Sequence, residues 1–333
     1  MSDTPYLLCA DVEVVRRQST LLLFSRRSGQ SVRVSPLAVD LLPMLTTGST
    51  FVELQSRLQR AHPRAGDVAS KLMSFLTTLS DAGVLANGTA SAPRQTGSRK
   101  IPLGNPDSLA KPVAGLLAKL LPHRGGILAA CLIAAAAVAA IASLASTGGL
   151  PRLPDMVEFL DWRGVLIFFL VVIPIHEFAH AVACRRVGVP VSGAGLILHG
   201  GFFPGPYVDT SKAYQLANRW RRFVIPAAGP FVNLVFAGIV AALLQFAAPP
   251  GELVPILHGL LLACLMFVYF DTNPLTASDG SHCIEAALDD ELARHYAFGR
   301  PQAVADPGIV RRYRMITLLH LLLSAALFWT WWQ

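Results

Sequence analysis

The chain has 333 residues, 53% of them apolar and only 15% charged, with a mean hydropathy of +0.49 and a formal net charge of +7. A soluble domain carries closer to a quarter charged residues, which argues against a wholly soluble chain. The basic residues flank apolar segments rather than forming one patch, so no nucleic-acid partner is expected. The five scattered cysteines (Cys9, Cys131, Cys184, Cys264, Cys283) contain no C-x-x-C and set up neither a disulfide framework nor a cysteine metal site.

The length suggests two or three units, and the apolar excess begins after residue 126. The start Met1-Ser-Asp-Thr-Pro5 lacks a basic stretch followed by an apolar core, so no secretory signal is expected there. Residues 6–85 read as a small α+β unit. Val12 to Arg16, Thr20 to Phe24 and Ser31 to Val34 have strand character, with a turn at Ser28-Gly29. Ser35 is placed to cap a helix with Pro36 at its first position and Gly48 at its end. Thr50 and Glu53 form a capping box for a second helix to about Ala61. Asp67 caps a third, whose apolar face is Val68, Leu72, Phe75, Leu76 and Leu79 and which closes at Gly83. Three strands followed by three helices make a winged-helix-like unit, and nothing in it is catalytic.

That element order, with the closing Asp81-Ala-Gly-Val-Leu85, resembles the PqqD-like domains, which bind leader segments of ribosomally made peptides. The resemblance gives residues 1–86 as a recognition domain. It implies that a leader adds as a strand along Ser31–Val34 beside the helix from Val68 to Leu79, a recognition mode that needs only an exposed sheet edge. The other reading is a winged helix that packs on the membrane domain or binds a partner protein.

Residues 86–107 are rich in Gly, Ala, Ser, Pro and Asn and read as a flexible linker. Leu109 to Leu121 is apolar with Lys111 and Lys119 and suits the bilayer surface, with Pro112 limiting it to a short helix, so residues 87–125 form a linker with an interfacial helix. Five segments then meet the length needed to cross a bilayer: Ile127–Ser146, Gly164–Cys184, Phe223–Pro249, Leu253–Phe270 and Met315–Trp332. The expected fold class for residues 126–333 is therefore an all-α transmembrane bundle. Basic residues gather before the first span (Arg94, Arg99, Lys100), after the second (Arg185, Arg186) and before the fifth (Arg311, Arg312, Arg314). The positive-inside rule puts the N-terminus in the cytoplasm, in a bacterial inner (cell) membrane, with membrane lipid as solvent.

The second span carries His176-Glu-Phe-Ala-His180 inside an apolar run. Residues four apart share one helix face, so His176 and His180 can hold one metal ion, with Glu177 beside them to take a proton from the attacking water. Ionisable side chains at membrane depth are costly and point to function. His180 is five residues from Arg185, which puts the metal roughly 7–14 Å below the cytoplasmic flank. A hydrolytic zinc site needs a third protein ligand. Asp279 is the candidate, after the Asn273-Pro274 helix break, with an Asp279-Gly280 turn to aim it inward; Asp271, before the break, is the rival. Asn233 places an amide inside the bilayer, to hold substrate or steady an oxyanion, or else to make an interhelical hydrogen bond. Gly193 to Thr210 reads as a hairpin or re-entrant loop suited to pair with a substrate strand. His199, His282 and Cys283 are more readily bystanders than ligands.

His176-Glu-Phe-Ala-His180, Gly229-Pro-Phe-Val-Asn233 and Asn273-Pro through Asp279-Gly280, in this order on successive spans, resemble the site-2 proteases, which are intramembrane zinc metalloproteases. The resemblance covers residues 164–300. It implies that His176, His180 and Asp279 ligate Zn2+, that Glu177 is the catalytic base, and that Asn233 takes part in catalysis. Within that family, chains that fuse a PqqD-like domain to this core are peptide zinc metalloproteases. The chain departs from the wider family in having no PDZ-like or CBS-like insertion and in placing Ser278 where an apolar residue is common. The expected function is cleavage of a peptide or membrane-associated substrate, as in maturation of a ribosomally synthesised peptide. The alternatives are regulated intramembrane proteolysis of a signalling protein, a non-proteolytic peptide receptor or export partner, and a transporter, which would show a repeat symmetry that is not seen.

Overall fold

The computed structural model describes residues 4–16, 21–25, 31–34, 36–63, 67–86, 99–156, 160–199, 203–299 and 306–332. The turn expected at Ser28-Gly29, the cap at Ser35 and most of the expected linker lie outside the described residues.

The N-terminal unit is an antiparallel sheet, β1 (Val12–Arg16), β2 (Leu21–Ser25) and β3 (Ser31–Val34), in the order β1-β2-β3, followed by helices. The central strand is apolar along its length, and all five of its residues are buried. The helix expected from Pro36 to Gly48 is instead two, α1 (Pro36–Val39) and α2 (Leu42–Thr47). Pro43 has no N–H to donate to the Val39 carbonyl, so a continuous helix loses its bond there and the chain turns. Gly48 ends α2 at φ +84°, a conformation glycine adopts without strain. α3 (Phe51–Ala61) has the full Thr50–Glu53 capping box, and Asp67 caps α4 (Val68–Asp81) by accepting from the Ser70 N–H. Leu45, Leu54, Leu72, Leu76 and Leu79 of these helices close over Leu23 in a core of their own.

Residues 99–104 correct the linker reading. They form β4 (Arg99–Gly104), which pairs antiparallel with β5 (Ala194–His199), and β5 pairs with β6 (Phe203–Val208), giving a sheet in the order β4-β5-β6. The expected hairpin is present, and its open edge recruits the extended segment that composition alone marks as loose. α5 (Asp107–Leu120) follows and runs straight through Pro112, which forfeits only the bond to the Ser108 carbonyl, so the helix is longer than expected. Its Ala110 and Ala114 pack against the end of the second span, while Leu109, Val113, Leu116 and Leu120 are exposed on the other side. Asp107 anchors it by pairing with Arg185 and accepting the Val191 N–H at 3.0 Å.

Among the described residues, five helices are long and apolar enough to cross a membrane: α6 (Gly125–Ser146 of His123–Ser146), α7 (Trp162–Arg186), α8 (Arg219–Phe246), α9 (Leu253–Asp271) and α12 (Pro307–Trp332). These are the five expected, to within four residues at each end except that the last begins at Pro307, eight residues before the expected Met315. Between α9 and α12 lie the short α10 (Asp279–Leu288) and α11 (Ala293–Phe298). α7, α8 and α9 share a core around Phe168, Val172, Ala237, Ala241, Leu261 and Cys264. α7 is not uniform. Phe168–Val172 is a π-helical turn in which the Ile173 N–H reaches back to the Phe168 carbonyl, directly before Pro174 and the histidine motif. Pro174 cannot donate, and the wider turn accommodates it; such turns recur at functional sites.

The start of α8 is tied to the segment after α10 by Arg222, which is 5% exposed. Its guanidinium pairs with Asp289, lies 3.6 Å from Glu291 and donates to the Leu216 and Ala217 carbonyls. Removing one partner of a buried ion pair costs about 3–5 kcal/mol because the other charge is left behind. Arg222→Met is therefore expected to lower the unfolding free energy of the detergent-solubilised chain by about that much. A loss below about 1 kcal/mol in denaturant titration, the range of a surface pair, would show the cluster to be solvated.

Candidate metal centre

His176 and His180 come from consecutive turns of α7, and both rings are buried. Their Nε2 atoms are 3.2 Å apart, and Asp279 Oδ2 lies 3.4 Å from the first and 3.2 Å from the second. Zinc–ligand bonds of about 2.0–2.1 Å put tetrahedral neighbours about 3.3 Å apart, so these donors fit one zinc ion. They are the group able to hold a metal ion found among the described residues. Two imidazole nitrogens and a carboxylate oxygen brought this close need a shared cation or proton. His180 is fixed for ligation by its other nitrogen, since Nδ1 is 2.7 Å from the Ile225 carbonyl and donates to it, leaving the Nε2 lone pair for the metal.

Asp279 reaches the site by a different local route from the expected turn. α9 stops at Asp271, and the Asn273-Pro274 segment redirects the chain. Ser278 then caps α10, accepting from the Ser281 N–H at 3.1 Å and donating to the Asn273 carbonyl at 2.5 Å. Asp279 is thus the first residue of a helix, and Ser278 has a definite task where the sequence left it unexplained. Burial alone would push the Asp279 carboxyl up, but with no metal bound the His176 and His180 rings, as protonated partners, outweigh it and hold the group below the usual carboxylate range.

The close approach of α8 depends on Gly229. A Cβ there would stand 2.5 Å from His180 Nε2 and collide with the His176 ring as well. Glu177 follows His176 directly on α7 and faces the same cavity as the histidines. Glu177, the three candidate ligands and the β6 residues Gly205–Val208 line one cavity of about 570 Å3.

Of the remaining expected residues, Asp271 faces the opposite side of the His176 ring, with Oδ2 3.7 Å from Nδ1. Asn233 is fully buried and donates to Asp271 at 2.7 Å, an interhelical hydrogen bond between α8 and α9. His199 lies in β5 opposite Phe203, and its side chain is outside the described residues. His282 lines the cavity but pairs with Glu285 at 3.0 Å. Cys283 contacts the Phe223 carbonyl, and its thiol is pushed up to about 12 by burial and by the Asp279 charge, so it stays protonated. Three features escaped the sequence reading: the π turn, signalled only by Pro174; the Ser278–Ser281 capping box, present as a short motif; and the Asp271 contact with His176, which carries no local signal.

Residues 164–323 match the profile of Peptidase family M50. The M50 match spans α7 from Gly164 onward, the four helices α8, α9, α10 and α11, and most of α12. Among curated relatives, "Putative zinc metalloprotease Rip3" of Mycobacterium tuberculosis is 30% identical over 179 residues, 53% of this chain and 42% of its own length. "Putative peptide zinc metalloprotease protein YydH" of Bacillus subtilis is 25% identical over 137 residues, 40% and 51% of the two chains. "Uncharacterized protein MJ0971" of Methanocaldococcus jannaschii is 29% identical over 90 residues, 27% of this chain and 25% of its own. The chain spans between 25% and 51% of the length of these relatives. No solved structure matches it significantly. Over the stretch that carries His176, His180 and Asp279 the chain is therefore similar to Peptidase family M50 and to proteins named as zinc metalloproteases.

Proposed function

We propose that the chain is an intramembrane zinc endopeptidase that cleaves a peptide presented as an extended strand, with the N-terminal unit, winged-helix-like and PqqD-like in element order, recruiting it by its leader. The observation that carries the reading is the cavity shared by the three candidate ligands, Glu177 and the outer strand of the β4-β5-β6 sheet. His176, His180 and Asp279 would hold the zinc. When bound, zinc supplies a Lewis acid that acidifies water and polarises a carbonyl. Glu177 accepts the proton of the attacking water and passes it to the departing amine.

The free edge of β6 has an unusual chemistry for a docking strand. The Asp209 N–H donates to the Gly193 carbonyl at 2.8 Å, so residues 205, 207 and 209 face β5, and residues 204, 206 and 208 face outward. Pro204 and Pro206 have no N–H. At these two positions the edge therefore offers carbonyls and no donor. This blunts it against indiscriminate strand pairing and requires a substrate to bring its own N–H groups. N-methylating a substrate backbone amide that pairs with Pro204 or Pro206 leaves a carbonyl unsatisfied and is expected to lower kcat/KM about 10-fold or more, at two positions spaced two residues apart. A flat N-methyl scan across the cleaved segment would contradict strand pairing.

Recruitment through a leader raises the effective concentration of the scissile segment, a gain of about 10²–10⁴ for a well-matched tether. Supporting this part of the proposal are the sheet with β3 at its edge and the α4 helix in the same core. The test is KM for one peptide with and without its leader, using the full chain. A rise of about 100-fold on leader removal is expected, and an unchanged KM would leave direct capture at the membrane domain. In this proposal the N-terminal unit and the metal centre lie on the cytoplasmic side of a bacterial inner membrane, a reading supported by the basic flanks.

A further inference from the structure

The two histidines of α7 are not supported alike. His180 gives its Nδ1–H to a carbonyl at 2.7 Å, whereas His176 Nδ1 is buried with no hydrogen-bond partner among the described residues. What faces it is Asp271, the last residue of α9, whose Oδ2 is 3.7 Å away. The same Oδ2 accepts the Asn233 amide at 2.7 Å. Asn233 has no exposed surface, and its own Oδ1 also lacks a partner among the described residues, so its one placed bond is the one to Asp271.

We propose that Asp271 is the positioning carboxylate of His176 and that Asn233 holds Asp271 in place. Taking the His176 Nδ1–H fixes the tautomer whose Nε2 lone pair faces Asp279 and His180, and makes that nitrogen a better donor. The distance needs to close by about 0.8 Å to reach hydrogen-bond length, a side-chain adjustment. The geometry also settles the rivalry between the two aspartates. Asp279 sits on the Nε2 side of both rings, Asp271 on the Nδ1 side of one, and a single ion cannot occupy both faces of an imidazole. Asparagine suits the third position because a neutral donor satisfies the carboxylate without adding another buried charge. On this account Asn233 contributes to catalysis through the ligand and not by touching substrate. It rests on the zinc reading above.

The test is zinc affinity, measured by chelator competition on the purified full-length chain in detergent, beside the unfolding midpoint of the zinc-free protein. Asp271→Ala is expected to bind zinc about 10–100-fold more weakly while still reaching wild-type stoichiometry at saturating zinc. Asn233→Ala should lose less, and the double variant should be no weaker than Asp271→Ala alone, since the amide acts through the carboxylate. Asp271→Glu should recover part of the affinity. If Asp271→Ala does not fold, Asp271→Leu, which fills the space and has no acceptor for the His176 Nδ1–H, carries the same test. Wild-type affinity in the Asp271 variant would overturn the proposal. So would a stoichiometric loss equal to that of Asp279→Ala, which would make Asp271 a ligand. An Asn233→Ala variant that keeps its affinity but loses turnover would return Asn233 to the substrate. A wild-type chain that binds no zinc would fail the metal reading instead, a distinct result.

Discussion

Replacing Glu177 with glutamine is expected to lower kcat/KM by about 10²–10⁴-fold, the range typical of a positioned general base, with zinc affinity and peptide binding unchanged. The reasoning is geometric. Glu177 lines the same cavity as the ligands but is not one of the donors that converge, so its amide isostere removes proton transfer without removing a ligand. The substitution also preserves volume and keeps a carbonyl oxygen able to accept a hydrogen bond. Cleavage assays run beside metal analysis and peptide titration separate the possibilities. Normal cleavage by Glu177→Gln would exclude the general-base role, and joint loss of zinc and cleavage would show that Glu177 helps build the site.

The second large effect is expected at a residue with no side chain. Gly229→Ala adds one carbon that would stand 2.5 Å from His180 Nε2, in the space where the ligand atoms converge. Overpacking of this kind costs about 1–3 kcal/mol, equivalent to about 5–150-fold in zinc affinity. Turnover should fall in parallel at limiting zinc and recover in part when zinc is raised. Gly238→Ala is the matched control. It sits on the same helix, and its added carbon would meet Ala137 of α6, so it should lower stability and leave zinc affinity alone. Equal zinc affinity in Gly229→Ala and the wild type would mean that the histidines and α8 are further apart than described.

How much of this was legible in the sequence follows from how local each signal is. The five spans depend on summed apolar content, which is a property of each segment alone, and they fall where expected. The capping residues Thr50 and Asp67 act within one turn and were equally readable. The pairing of His176 with His180 follows from helical periodicity, whereas bringing Asp279 to them needed the recognised order of three motifs as well. What stayed hidden is what depends on distant partners. Arg99–Gly104 becomes a strand because the β5–β6 hairpin offers it an edge, not because of its composition. The split at Pro43 and the continuity through Pro112 show the same residue type breaking one helix and being absorbed by another, with packing against α7 stabilising the second. Asp271 looked like a rival ligand because spacing cannot tell which ring nitrogen a carboxylate faces.

The central claim, a zinc-dependent peptidase centre built from α7 and the start of α10, is tested most directly by counting zinc and turnover on one preparation. Full-length chain in proteoliposomes would be stripped with a chelator, titrated with zinc, and assayed on a membrane-inserted fluorogenic peptide library. The account predicts that cleavage disappears with the metal, returns in proportion to bound zinc and saturates at one ion per chain, with neither recovery nor stoichiometric binding in Asp279→Ala. Cleavage that persists in the metal-free chain, or that returns with zinc in Asp279→Ala as it does in the wild type, would contradict it.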